Sequence, residues 1–387
     1  MRIAFDIRKL NDFGIGVYIR NLALQLAQLD KQSEYLLICH DRDRSELGAL
    51  PPNFSFLVDR SQDSLFWNDF VLPYLLKKQS VQLLHTPHYR APRFVSCKSV
   101  LTIHDCVHVL FPNYADSRLG YQRARKATRR AVRRSCHIFA VSEATQRDIM
   151  RLFHVAEEKI TVVYNAIDDR AVLAVDPELQ RRVLERYQVQ DPFLLYAGNI
   201  KPHKNLARII EAFSVLKVDL KQHPQWKNLK LLIIGDELSK HQFLRRTVIR
   251  SGVQHDVRFF GFVPYETLKV FYHAAQIFVF PSLYEGFGLP PLEAMANGTP
   301  VLTSNVSSLP EVLGDAALLV NPENVFEISK GLKFLLLDLE ARHDYIQRGY
   351  QQARKYSWRR AAELVWGTYQ KLLLSGDESE RKAVALS

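Results

Sequence analysis

The feature that most restricts the fold is a rhythm. Short apolar, β-branched runs alternate with longer stretches of helical spacing, and the alternation starts twice. Continuous apolar runs are what strands buried on both faces look like, and parallel strands need a crossover helix between them. The first series predicts strands at 3–7, 35–39, 81–85, 100–104, 137–141 and 160–164, with helices at 17–29, 121–134 and 143–152. The second predicts strands at 193–197, 229–234, 257–260, 277–280 and 300–303, with helices at 206–216, 240–251, 264–273 and 290–297. The stretch 168–190 between them is polar and charged, and it contains Pro177 and a short helical pattern. The expected architecture is therefore α/β, with two Rossmann-like domains at 1–175 and 176–357. A final amphipathic segment, 358–387, is expected to pack back on the first domain and to fray after Ser375.

Composition narrows the class. A chain of 387 residues with 47% hydrophobic and 24% charged residues buries enough surface to fold without disulfides or a structural metal. The four cysteines, Cys39, Cys97, Cys106 and Cys136, form no C-x-x-C pair, which fits a reducing compartment rather than a disulfide scaffold or zinc ribbon. Charges or prolines interrupt every apolar run short of about 18 residues, and the N-terminus lacks the pattern of a signal peptide. A soluble, cytoplasmic protein is expected, with a peripheral position at the inner face of the membrane as a variant of that expectation.

The formal net charge of +11 is concentrated in Arg118–Arg134, RLGYQRARKATRRAVRR, which has eight basic residues and no acidic one. Leu119, Ala124, Ala127, Ala131 and Val132 give it one shallow apolar face. Such a helix suits a solvated surface, an anionic membrane surface or a nucleic acid. No aromatic ladder or zinc-finger spacing accompanies it, so nucleic acid is the least favoured of the three partners.

Two strand-to-helix loops carry chemistry. In 277–304, a strand ends at Pro281, and the following loop holds Gly286 and Gly288 before Pro290 opens a helix. A glycine loop at a helix start offers backbone N–H groups to an anion, here around Gly286, Phe287, Gly288 and Leu289. Glu285 and Glu293 flank this loop. Carboxylates beside an anion site are favourable when ligand hydroxyls donate to them, as sugars and ribose do; complementing the helix dipole is the plain alternative. In 196–206, Asn199, Lys201, His203 and Lys204 crowd a second turn, where cations would hold a diphosphate.

These residues resemble family 4 retaining glycosyltransferases. The E-x7-E motif stands as Glu285 to Glu293, and the basic pair that grips the donor diphosphate as His203 and Lys204, with histidine in place of the usual arginine. Histidine is charged only near or below about pH 6.5 unless perturbed, so the grip would lean on Lys204, helped by Lys201. The resemblance covers essentially the whole chain. It implies a GT-B fold of two facing Rossmann-like domains with a deep cleft between them. It also implies His104 reaching the donor sugar, Gly14 and Gly16 in a glycine loop after the first strand, and His85, Ser142 and Asn165 at cleft-facing strand ends. Asn199, His203, Lys204, Glu285, the loop from Gly286 to Leu289, and Glu293 would bind the donor, with His104, Glu285 and Lys204 as the catalytic group.

The implied reaction moves a sugar from a nucleotide-diphosphate donor to a hydroxyl of a glycan or lipid-linked acceptor in cell-surface polysaccharide synthesis, with retention. GDP-mannose is the leading donor. No cofactor is expected, and the absence of an Asp-x-Asp triplet points away from a metal. A sugar-nucleotide epimerase of the same fold and a non-enzymatic nucleic-acid-binding protein remain as alternatives.

Overall fold

The computed structural model describes residues 1–61, 64–114, 117–168, 174–236 and 241–384, with side chains followed to Leu374. The chain forms two compact units. Unit 1 comprises Met1–Asn165 and the C-terminal segment from Ser357; unit 2 is Ala166–Tyr356. The division falls N-terminal to the 175/176 read from composition. Polar composition marks a solvated segment, whereas Ala166 and Ile167 are already buried residues of unit 2.

Unit 1 is built on a seven-stranded parallel sheet. Its strands are β1 (Arg2–Asp6), β2 (Glu34–Cys39), β3 (Phe54–Val58), β4 (Leu83–Thr86), β5 (Lys98–Ile103), β6 (His137–Ala140) and β7 (Ile160–Val162), in the order β3-β2-β1-β4-β5-β6-β7. β1 is central: Ile3 pairs with Tyr35 on one side and with Leu83 on the other. Ile3, Ala4 and Phe5 are fully buried, as a strand covered on both faces requires.

Unit 2 holds a six-stranded parallel sheet of β8 (Phe193–Ala197), β9 (Lys230–Ile234), β10 (Val257–Phe260), β11 (Ile277–Phe280), β12 (Val301–Ser304) and β13 (Ala317–Val320), ordered β10-β9-β8-β11-β12-β13. β3 and β13, on the sheet edges, were not among the predicted strands. In each sheet the strand order reverses once, at β1/β4 and at β8/β11, and ligands of open α/β sheets sit beyond the carboxyl ends of strands at such points. The unit 2 switch point is tightly built. A Cβ on Gly235 would lie 2.1 Å from the Gly198 carbonyl oxygen, so the ends of β8 and β9 approach this closely only because that residue is glycine.

The terminal helix Trp358–Val384 packs within unit 1. Its Trp366 indole donates to Asp30 Oδ2 at 3.0 Å, and the Tyr369 hydroxyl meets His85 Nδ1 at 2.5 Å. Tyr18 sets its ring edge-on to Trp358. Among the described residues, no helix is long and apolar enough to cross a membrane.

Candidate active site

Unit 2 brings the donor-site candidates together at the β8/β11 switch point. The loop after β8 runs through Gly198 and Asn199 to a short 3₁₀ turn, Pro202–Lys204, and enters the helix Leu206–Asp219 through Asn205 in the left-handed conformation. Asn205 fixes this loop to its neighbours: its amide donates to the carbonyls of Pro281 (3.0 Å) and Pro322 (2.7 Å). The loop after β11 is held in turn. Leu283 N–H donates to the His203 carbonyl at 2.7 Å, and the Ser308 hydroxyl lies 3.0 Å from the carbonyls of both Glu285 and Phe287.

The held loops place two opposite charges in contact. Lys204 Nζ donates to both carboxylate oxygens of Glu285, at 2.7 and 2.8 Å, and sits 5.2 Å from the Phe280 ring centroid. Both side chains are largely buried, at 13% and 10% exposed. His203 is buried beside them, and burial together with Lys204 and Lys201 pushes its imidazole down to about 3. The ring is therefore neutral at physiological pH, so the cationic charge of the basic pair is that of Lys204.

Glu293 lies in the second turn of the helix Leu289–Ala296, and Glu285 precedes that helix, so the first turn contains no carboxylate. The dipole-complementing alternative has no support in this placement. Burial raises the Glu293 carboxyl to about 7, against an opposing hydrogen bond from the Tyr272 hydroxyl to Oε2 at 3.1 Å. The helix start also differs from a generic anion site. Its first four positions are Leu289, Pro290, Pro291 and Leu292, and prolines have no N–H to offer. Gly288, at φ +108°, turns the chain into the helix.

Among the described residues, Asn199 Oδ1, after β8, and Ser282 Oγ, after β11, are buried at the switch point without a hydrogen-bond partner. A buried polar atom left without a hydrogen bond costs about 1–3 kcal/mol, so such atoms mark places where a ligand can be recognised. Asn199 was among the sequence candidates. Ser282 and Tyr272 were not, because a serine beside Pro281 and a tyrosine in a helical pattern look like ordinary turn and core residues.

The unit 1 candidates separate into two kinds. His104 is partly exposed as a residue, but its ring bonds to the Pro87 carbonyl and its Nε2 is buried with no partner among the described residues; burial lowers the ring to about 4. A neutral imidazole whose one N–H is spent on a carbonyl can only accept at the other nitrogen. Asn165 Oδ1 is likewise buried and unpartnered.

The remaining four are engaged within the fold. His85 is fully buried with both ring nitrogens engaged, by Tyr369 and by Thr102 Oγ1 at 2.7 Å, which leaves none for a ligand. Ser142 caps the helix Glu143–Phe153, accepting from Thr145 N–H at 3.0 Å. Gly14 and Gly16 belong to the helix Phe13–Leu29 and not to a loop. The close approach that Gly16 permits is to its own chain, since a Cβ there would meet the Leu10 carbonyl oxygen at 2.1 Å. Among the described residues, no group of three His, Cys, Asp or Glu side chains could hold a metal ion.

Comparison with known proteins adds three findings. The family model for glycosyl transferases group 1 matches residues 180–352, and that for glycosyltransferase family 4 matches residues 14–171. O-antigen chain mannosyltransferase B of Escherichia coli is 32% identical over 75% of this chain and 74% of its own length, and O-antigen chain mannosyltransferase RfbU of Salmonella typhimurium is 28% identical over 78% and 76%. The structure of Anabaena HepE in complex with UDP and glucose superposes with a TM-score of 0.76 at 17% identity, covering 96% of this chain and all of that one.

Proposed function

Because the chain belongs to the group 1 glycosyltransferases, with a family 4 glycosyltransferase domain preceding the group 1 domain and a GT-B fold, we propose that it transfers mannose from GDP-mannose to a hydroxyl of a growing polysaccharide, with retention and without a metal. The observation that carries the site assignment is the Lys204–Glu285 pair at the β8/β11 switch point. A donor diphosphate would compete with Glu285 for Lys204, which would free the carboxylate to accept from sugar hydroxyls. Charge building on the departing diphosphate would be met by Lys204 in a largely desolvated position, where a cation is worth far more than in water. Glu293, oriented by Tyr272, is assigned to the ribose hydroxyls. Asn199 Oδ1 and Ser282 Oγ are further acceptors for the donor, and in unit 1 His104 Nε2 is suited to a substrate hydroxyl. The mannosyl assignment is supported by the relatives in O-antigen synthesis, and the diphosphate assignment by the likeness to a UDP-bound fold.

A thermal-shift panel with GDP, UDP, dTDP and ADP, with and without EDTA, tests this reading. A nucleotide at 100 times its Kd adds about 2.7 kcal/mol of stability. GDP should give the largest shift, undiminished by EDTA, and the double variant Lys204→Met/Glu285→Gln, which leaves no buried charge unpaired, should lose it. A UDP-selective shift would replace the donor, loss of the shift in EDTA would replace the metal-free mechanism, and an unchanged shift in the double variant would remove the pair from the site. NMR of the product's anomeric proton tests retention.

A further inference from the structure

The cationic helix and a set of exposed aromatic residues, separate features in the sequence, meet in unit 1. The helix Arg118–Arg134 turns Arg123, Lys126 and Arg130 to one side, with Ala127 and Ala131 between them, and this side lines a groove of about 800 Å³. Arg90 adds a further cation to the lining. Asp69 is the one carboxylate among the described lining residues, and it is occupied: Arg93 reaches it with its guanidinium at 3.3 Å and its backbone N–H at 3.1 Å. Arg90, Arg123, Lys126 and Arg130 have no carboxylate within ion-pair distance in the described structure.

Leu65, Phe66 and Phe70 also line the groove. Phe66 and Phe70 are 67% and 55% exposed, and Phe70 continues to Phe94, which is 54% exposed. The three rings form one contiguous patch, with successive centroids 5.4 and 5.2 Å apart. Isolated exposed apolar residues are ordinary, but a clustered phenylalanine patch beside converging, unneutralised cations requires a partner that is apolar and anionic at once.

We propose that this groove docks on an acidic phospholipid bilayer, with lipid phosphates against Arg123, Lys126 and Arg130 and with Leu65, Phe66 and Phe70 entering the headgroup–acyl boundary. Charge complementarity selects the headgroup. The aromatic patch selects a lipid over a single-stranded polynucleotide, because these rings pack against one another instead of standing between cations to receive bases. The inference does not depend on the donor assignment, since every residue in it lies in unit 1 and outside the candidate active site.

The test is co-sedimentation with phosphatidylglycerol and with phosphatidylcholine vesicles at 0.15 M salt, on the full chain. Binding to the acidic vesicles only is expected. Arg123→Gln/Lys126→Gln/Arg130→Gln should weaken it by roughly 100-fold, from about fivefold per cation removed near the surface. Arg125→Gln/Arg129→Gln/Arg133→Gln, which removes equal charge from the rest of the same helix, should weaken it by less than about tenfold, because those side chains do not line the groove and salt screens charges held away from the lipid surface. Phe66→Ser/Phe70→Ser should lower binding while leaving its salt dependence intact. Equal losses in the two triple variants would overturn the groove in favour of general basicity. Binding to neither vesicle, or tighter binding to a single-stranded oligonucleotide than to acidic vesicles, would overturn the lipid. Circular dichroism spectra and thermal melts matching wild type confirm that each variant is folded.

Discussion

Burial around Glu293 sets the sign of a pH effect. Its carboxyl is raised from the ordinary 4.5 to about 7, so the folded state holds a proton that the unfolded chain releases between those values. The stability this residue contributes is therefore full below pH 4.5, falls as pH rises toward 7, and changes no further above it. Replacing Glu293 with Gln removes that loss. The Tm difference between Glu293→Gln and wild type should move in the variant's favour from pH 4.5 to 7 and then level off; a difference constant across that window would show that the carboxyl titrates elsewhere. The same burial logic lowers His104 and His203 where it raises Glu293, because the charged form it disfavours is here the protonated ring, and both rings are held neutral. Lys204 and Glu285, in the loops after β8 and β11, and Glu293, in the helix that follows, stood out as candidates because charged side chains grouped around glycine loops have few structural uses. Tyr272 and Ser282 did not, because what distinguishes them is a partner, or the lack of one, brought together only by the fold.

At the scale of elements, long periodic segments and continuous apolar strands were the readable part. β8, β10 and β11 begin and end where the apolar runs do. β13, with only Ala317–Val320, is an apolar run too short to be told from a helical turn. β3 follows Pro51 and Pro52 and leaves one side partly exposed, so its sequence reads as turn as readily as strand. The helices Val325–Leu337 and Leu339–Ala353 are divided only by Asp338, which caps the second by accepting from Ala341 N–H. A break one residue wide does not interrupt a hydrophobic pattern. The start of the helix Phe13–Leu29 was missed for a different reason. Glycine counts against a helix interior by about 1 kcal/mol, yet Gly16 is there to let the helix pass the Leu10 carbonyl. Gly16→Ala gains helix propensity but places a methyl 2.1 Å from a backbone oxygen that cannot rotate away. The clash should win, lowering stability by about 1–3 kcal/mol in a denaturant melt, and an unchanged or raised midpoint would contradict the packing described.

For the whole molecule, the return of the C-terminal helix to unit 1 is the feature with the widest reach. Tyr369 and His85 are both fully buried, and Tyr369→Phe leaves His85 Nδ1 without its hydrogen bond. The expected cost is about 1–3 kcal/mol, confined to one unit. Calorimetry should show a single transition moved down while the transition of unit 2 stays in place, and a common shift of both would contradict the division of the chain at Asn165 and Ser357. That division also orders the birth of the protein on the ribosome. Translation delivers Met1–Asn165 first, but the tyrosine that completes its buried polar chain is encoded after all of Ala166–Tyr356. The second unit to be synthesised is complete at Tyr356, whereas the first has all seven strands by Val162 but waits, with Tyr18 and Asp30 uncovered, until Trp358 and Trp366 have left the exit tunnel.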